Sequence, residues 1–146
     1  MPVKFDLAQR TRFSLTKQAE IMKKILLGFF VFIILVAVWD FAWWALGVKP
    51  LFPWLMNLEN YSLIDVRTTP EYKLFHIDGA ENRPELLLHP ELLKPQNPRK
   101  PLVVICMTGH RSSVVAYRLK KQGFSKVHNL TFGMLGWLLS GGETKR

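Results

Sequence analysis

A single cysteine, Cys106, stands in 146 residues. That scarcity excludes an intrachain disulfide and any cysteine-rich metal site, on either side of a membrane. Acidic residues are also few: 11 Asp and Glu against 20 Lys and Arg leave a formal net charge of +9. The excess is spread along the chain with no recognition-helix or RNA-binding signature beside it, so nucleic acid is not an expected partner. Charged residues make up only 21% while 49% are hydrophobic, a balance that points to a membrane segment. Internal repeats and low-complexity tracts are absent, which leaves one modest domain as the expected folded unit.

The apolar residues are concentrated near the start. Residues 1–24 form a basic lead-in, with Lys4, Arg10, Arg12, Lys17, Lys23 and Lys24 against Asp6 and Glu20. Its second half, from Arg12 to Lys24, is expected as a short interfacial helix. Residues 25–48 then run for 24 positions with one charge, Asp40, long enough to cross a hydrocarbon core of about 30 Å. Trp39, Trp43 and Trp44 gather toward the far end as an interfacial belt would, and Asp40 there reads as a carboxylate snorkelling to the surface. No small-x-small cleavage site follows, so the segment reads as a retained anchor rather than a removed signal peptide. The cations preceding it predict a cytoplasmic N-terminus and a domain on the non-cytoplasmic side, in a bacterium at the inner membrane.

Pro50 and Pro53 mark residues 49–60 as a linker, 61–142 as the domain and 143–146 as a polar, frayed tail. Within the domain, strand and helix signals alternate. Strands are expected at Tyr61–Val66, at Leu102–Cys106 and around Lys126–Leu130, with a brief strand or turn at His76–Ala80. Helices are expected at Thr69–Phe75, broken at Pro90 across Pro84–Leu93, at Ser112–Gly123 with a hydroxyl cap, and from Gly133 to Leu139. A proline-rich loop spans residues 95–101. This alternation predicts an α/β domain with a mainly parallel central sheet flanked by helices, preceded by one transmembrane helix.

Cys106 follows the apolar run Leu102–Ile105 and precedes a helix, so it sits where sites of parallel sheets form, at a strand's carboxyl end. Met107, Thr108, Gly109, His110, Arg111 and Ser112 complete the loop. Backbone N–H groups from Met107 to Ser112 are expected to face the sulfur as a small bowl, with Gly109 allowing a turn that a Cβ would resist. The helix N-terminus adds roughly half a positive charge and Arg111 a full one, which favours an exposed, reactive thiolate. Cys-x4-Arg is one residue shorter than a phosphatase loop; the smaller bowl fits a single terminal sulfur better than a tetrahedral phosphate.

These motifs together resemble the rhodanese-like sulfurtransferases over nearly all of residues 60–140. Leu63-Ile-Asp-Val-Arg-Thr-Thr-Pro-Glu-Tyr72 is similar to that family's opening strand and helix, and His76-Ile-Asp-Gly-Ala-Glu-Asn82 to its His-Ile-x-Gly-Ala-x-Asn signature. Val103–Ser112 resembles the active-site loop, and Gly123-Phe-x-x-Val127 with Asn129-Leu130 and Trp137 the closing segment. Departures are Phe75 where a glycine is usual, Arg83 at an apolar position, Met107 in the loop, and Thr131-Phe132-Gly133 in place of a Gly-rich turn.

The resemblance implies a thiosulfate sulfurtransferase-like transferase acting through a Cys106 persulfide. The donor would be thiosulfate or a persulfide, and the acceptor a thiol, membrane-bound or periplasmic, with cyanide taking its place in assay. No metal or organic cofactor is implied. Arg111 either binds the anionic donor or braces the loop through an acidic partner. His110 either orients the donor or is an exposed loop residue, and Thr108 offers a hydroxyl. Asp65 and Arg67 are expected as a structural ion pair, and His76 as a hydrogen-bonding residue. The alternative to turnover is a sulfur-carrier or docking module for a membrane partner.

Overall fold

A computed structural model describes residues 4–94 and 100–146, with side chains of 4–14 and 16 undescribed. Most of the proline-rich loop therefore lies outside the described residues. The chain divides into two compact units, residues 1–41 and 42–146. The first is one helix, α1 (Lys4–Ala45), whose last residues belong to the second unit. Its Lys17–Ala45 portion is long and apolar enough to cross a membrane. The lead-in and the apolar segment form one uninterrupted helix, since the lead-in holds no glycine or proline after Pro2 to break it. The helix stops at Ala45, short of residue 48: Gly47 takes φ +83°, and Val48 donates back to the Trp43 carbonyl at 3.0 Å.

The second unit is a five-stranded parallel sheet in the order β1-β5-β4-β2-β3. Its strands are β1 (Lys49–Leu51), β2 (Ser62–Asp65), β3 (Ala80–Asn82), β4 (Leu102–Ile105) and β5 (Val127–Leu130). The helices are α2 (Thr69–Leu74), α3 (His110–Lys121) and α4 (Gly133–Leu139), with single 3-10 turns at Pro53–Leu55, Leu58–Asn60, Pro84–Leu87 and Pro90–Leu92. Because β4 lies at the centre, all four of its residues are buried, which is why it reads as an unbroken apolar run. Leu102 and Val104 pack on one face with Val115, Ala116 and Leu119 of α3. Val103 and Ile105 pack on the other with Ile77, Met134 and Trp137. Each buried Val, Leu, Ile or Met among them contributes roughly 1.5–3 kcal/mol.

Two expectations about the domain's edges are corrected. Residues 49–51, assigned to the linker, form β1 and pair with β5 from Lys49↔His128 to Leu51↔Leu130. Pro50 reads as a breaker, yet an edge strand tolerates it because its missing N–H faces away from the ladder. The tail is docked rather than frayed: His76 and Lys145 exchange backbone hydrogen bonds at 2.9 and 2.8 Å. The Trp137 indole donates to the Glu143 carbonyl, and Lys145 pairs with Asp78. The two contacts of Lys145 reach back some seventy positions, to His76 and Asp78, which local composition does not register.

Candidate active site

β4 ends at Ile105, and the next residue, Cys106, is completely buried rather than exposed as its loop position suggested. Burial follows from where the side chain points: Cys106 continues the inward alternation of Leu102 and Val104 and joins their core face. The loop then turns at Gly109, whose φ is +88° and whose Cα faces the backbone of Leu130 and Phe132. A Cβ there would lie 3.1 Å from the Phe132 nitrogen. Gly109, not a hydroxyl residue, caps α3, so the helix begins two residues earlier than the sequence pattern predicts.

That early start brings the helix N-terminus onto the sulfur. The Gly109 N–H donates to Cys106 Sγ at 3.1 Å, and the Ser112 hydroxyl lies 3.2 Å from the same atom. Ser112 Oγ also sits 2.6 Å from Asn129 Oδ1 of β5. One hydroxyl proton thus faces two acceptors. Ser113 fixes the turn by donating to the Gly109 carbonyl at 2.8 Å. From the other side, the Met134 and Leu135 N–H groups hold the Cys106 and Met107 carbonyls at 2.9 and 3.0 Å. The strand end is therefore pinned by backbone N–H groups and the helix start by the Ser113 hydroxyl.

The remaining loop residues separate into different roles. Thr108 and His110 are exposed and hydrogen-bond to each other, Oγ1 to Nδ1, at 3.0 Å. Met107 is half-buried against the Met134 face. Arg111 turns to Glu71 on α2, with Nη2 to Oε1 at 2.8 Å and Nη1 to Oε2 at 3.3 Å. Glu71 is held in turn by Thr68, whose N–H and hydroxyl donate to it at 2.9 and 2.7 Å. Of the two roles considered for Arg111, bracing through an acidic partner is the one the geometry contains. Sequence reasoning missed both Glu71 and Asn129; the Thr68-x-x-Glu71 capping box was the available signal for the first.

The Arg111 guanidinium, then the Thr68 bonds, hold the Glu71 carboxyl down to about 2 against an opposing effect of burial. A depressed carboxyl stabilises the fold above its unfolded value near 4.5, and that contribution is lost as pH falls toward 2. The stability difference between wild type and Glu71→Gln is therefore expected to be constant above about pH 5 and to vanish near pH 2. Denaturant titrations across that range measure it; a difference unchanged at pH 2 contradicts the pairing.

Beside the loop, at the end of β2, Asp65 and Arg67 are both fully buried. Arg67 Nε and Nη2 donate to Asp65 Oδ2 at 2.9 and 2.7 Å, and Nη2 also reaches the Phe75 carbonyl at 2.7 Å. This is the structural ion pair expected. His76 likewise has a local role, stacked on Tyr72 at 4.0 Å and bonded to its carbonyl.

Residues 54–140 match the rhodanese-like domain family. The chain belongs to that family. The rhodanese-like domain is 36% identical over 90 residues to the protein named probable adenylyltransferase/sulfurtransferase MoeZ of Mycobacterium tuberculosis, covering 61% of this chain but 23% of MoeZ. It is 34% identical over 84 residues to thiosulfate sulfurtransferase GlpE of Shewanella oneidensis, covering 57% of this chain and 81% of GlpE. A rhodanese-related protein from Thermoplasma volcanium superimposes with a TM-score of 0.58 at 23% identity, over 66% of this chain and 97% of that one, and shows the shared fold. The chain thus spans about a quarter of MoeZ and most of GlpE. These relatives support rhodanese-type sulfur transfer in general for the domain.

Proposed function

We propose that this chain is a membrane-anchored sulfurtransferase that carries sulfane sulfur on Cys106. The carrying observation is the convergence of the Gly109 N–H and the Ser112 hydroxyl on Cys106 Sγ at the N-terminus of α3. Both donors can hydrogen-bond a sulfur anion at that position, and the helix end adds positive potential. The thiolate attacks the outer sulfur of thiosulfate; a new S–S bond forms, the old one breaks, and sulfite leaves with the bonding pair. A persulfide donor would release a thiolate in the same way. The acceptor, a thiol in the cell or cyanide in assay, then takes the outer sulfur and returns Cys106 to its thiolate. Met107 to Ser112 form the substrate-binding loop in this reading, and Arg111, braced by Glu71, supplies positive potential. The cycle calls on no metal or organic cofactor.

α1 would be the single-pass anchor in a lipid bilayer, in a bacterium the inner membrane, with the domain on the non-cytoplasmic side. A second reading, a carrier or docking module with little turnover of free thiosulfate, is favoured by one observation. Cys106 is wholly buried while the loop's arginine is already engaged by Glu71. Thiosulfate:cyanide activity of intact spheroplasts expressing the full chain, against Cys106→Ser, separates these possibilities. We expect activity before lysis, and none above background in the variant. Activity only after lysis overturns the orientation, and none in either state overturns turnover.

A further inference from the structure

Ser112 holds one hydroxyl proton between two buried acceptors. Cys106 Sγ lies 3.2 Å away and Asn129 Oδ1 2.6 Å away, and none of the three residues is more than 5% exposed. A charged acceptor binds a proton donor about twice as strongly as a neutral one, so a Cys106 thiolate draws the proton to sulfur. Once Sγ is bonded to a second sulfur, the negative charge resides on the outer atom and Sγ becomes a weak acceptor. A buried hydroxyl then needs another partner. Asn129 is placed to be that partner, because β5 pairs with β4 and aligns Val104 with Asn129 just before the loop.

We infer that Asn129 is a positioning residue: it accepts the Ser112 proton whenever Cys106 is loaded, and so sets the balance between free and persulfide forms. The inference rests on the sulfur-transfer reading above. In loading, the S–S bond of thiosulfate breaks, an S–S bond forms on Cys106, and sulfite leaves with the electron pair. A formally neutral sulfur atom is transferred, thiosulfate and sulfite are both dianions, and thiolate and persulfide are both monoanions, so the charge on the site is unchanged. An acceptor at position 129 therefore acts on this equilibrium through its hydrogen bond rather than through net charge.

The test equilibrates the full chain in detergent with thiosulfate and sulfite at a fixed ratio, and reads the loaded fraction from the intact mass. Asn129→Leu, branched alike but with no acceptor, is expected to lower the loaded-to-free ratio about tenfold, because the loaded state strands a buried hydroxyl. Asn129→Asp keeps an acceptor and is expected to load at least as well as wild type. In a Ser112→Ala background, where there is no proton to place, Asn129→Leu is expected to change nothing. A merely structural role would lower loading in Leu and Asp variants alike, with or without Ser112, and that pattern overturns the inference. So does equal loading of wild type and Asn129→Leu. Asn129→Val, a better strand former, carries the same expectation should the leucine variant not fold. Failure of wild type to load from thiosulfate or inorganic polysulfide sinks the sulfur-transfer reading, and the inference with it. Loading of wild type with an indifferent leucine variant sinks the inference alone.

Discussion

Asp65→Ala is expected to lower the domain's stability by about 3–5 kcal/mol. The carboxylate it removes is the only anion paired with Arg67 among the described residues, and both side chains are 0% exposed. Arg67 spends Nε and Nη2 on Asp65, places its guanidinium 5.1 Å from the Phe75 ring centre, and has Nη1 without a partner among the described atoms. Taking the carboxylate away leaves a buried cation with one carbonyl to hold it, and water cannot reach it. Replacing both partners with apolar residues, as in Asp65→Leu with Arg67→Met, removes the stranded charge and is expected to recover most of the loss. Denaturant unfolding of the full chain in detergent compares the three proteins. A loss below about 1 kcal/mol for Asp65→Ala would contradict the pairing, since exposed ion pairs contribute in that range. The location ties stability to the site: Asp65 ends β2 beside Ile105, and the Val66 N–H donates to the Ile105 carbonyl at 2.9 Å, one residue before Cys106.

Gly133→Ala is expected to reduce sulfur transfer by about 10- to 100-fold while leaving most of the fold in place. Gly133 has φ +54°, where an alanine costs roughly 1–2 kcal/mol. Space is the stricter limit. A Cβ at Gly133 would collide with the Cys106 carbonyl oxygen and lie 2.8 Å from both the carbonyl carbon and oxygen of Met107. All of these atoms are backbone, so no side-chain rotation relieves the contact. The loop or the start of α4 must move, and either displaces the bonds from Met134 and Leu135 that pin the cysteine loop. Donors to the sulfur at 3.1 and 3.2 Å leave little room for such a shift. Steady-state activity alongside thermal unfolding measures it; wild-type turnover in Gly133→Ala would show that the loop does not depend on this close approach.

The elements legible in the sequence are those whose signal is local. β4 announces itself because a central parallel strand is apolar on both faces, and α4 runs over the predicted residues, Gly133–Leu139. The loop glycine and the Asp65–Arg67 pair also follow from residue type and topology. What escaped depends on partners far along the chain. β1 is three residues with a proline at their centre and is a strand only because β5 lies beside it. The arginine's role turned on Glu71, forty positions away, and Asn129 on a serine seventeen positions away. The burial of Cys106 escaped for another reason. Loop position suggests exposure, but the side chain continues the strand's inward alternation for one residue past the last ladder bond.

The measurement that bears most directly on sulfur transfer is the intact mass of the full chain after exposure to thiosulfate and rapid removal of excess donor. Cys106 is the chain's one cysteine, so any covalent sulfur has a single place to sit. Wild type is expected to gain the mass of one sulfur atom, reversed by cyanide with release of thiocyanate, and Cys106→Ser to gain nothing. A wild-type mass unchanged by thiosulfate and by polysulfide, in folded protein, would contradict it.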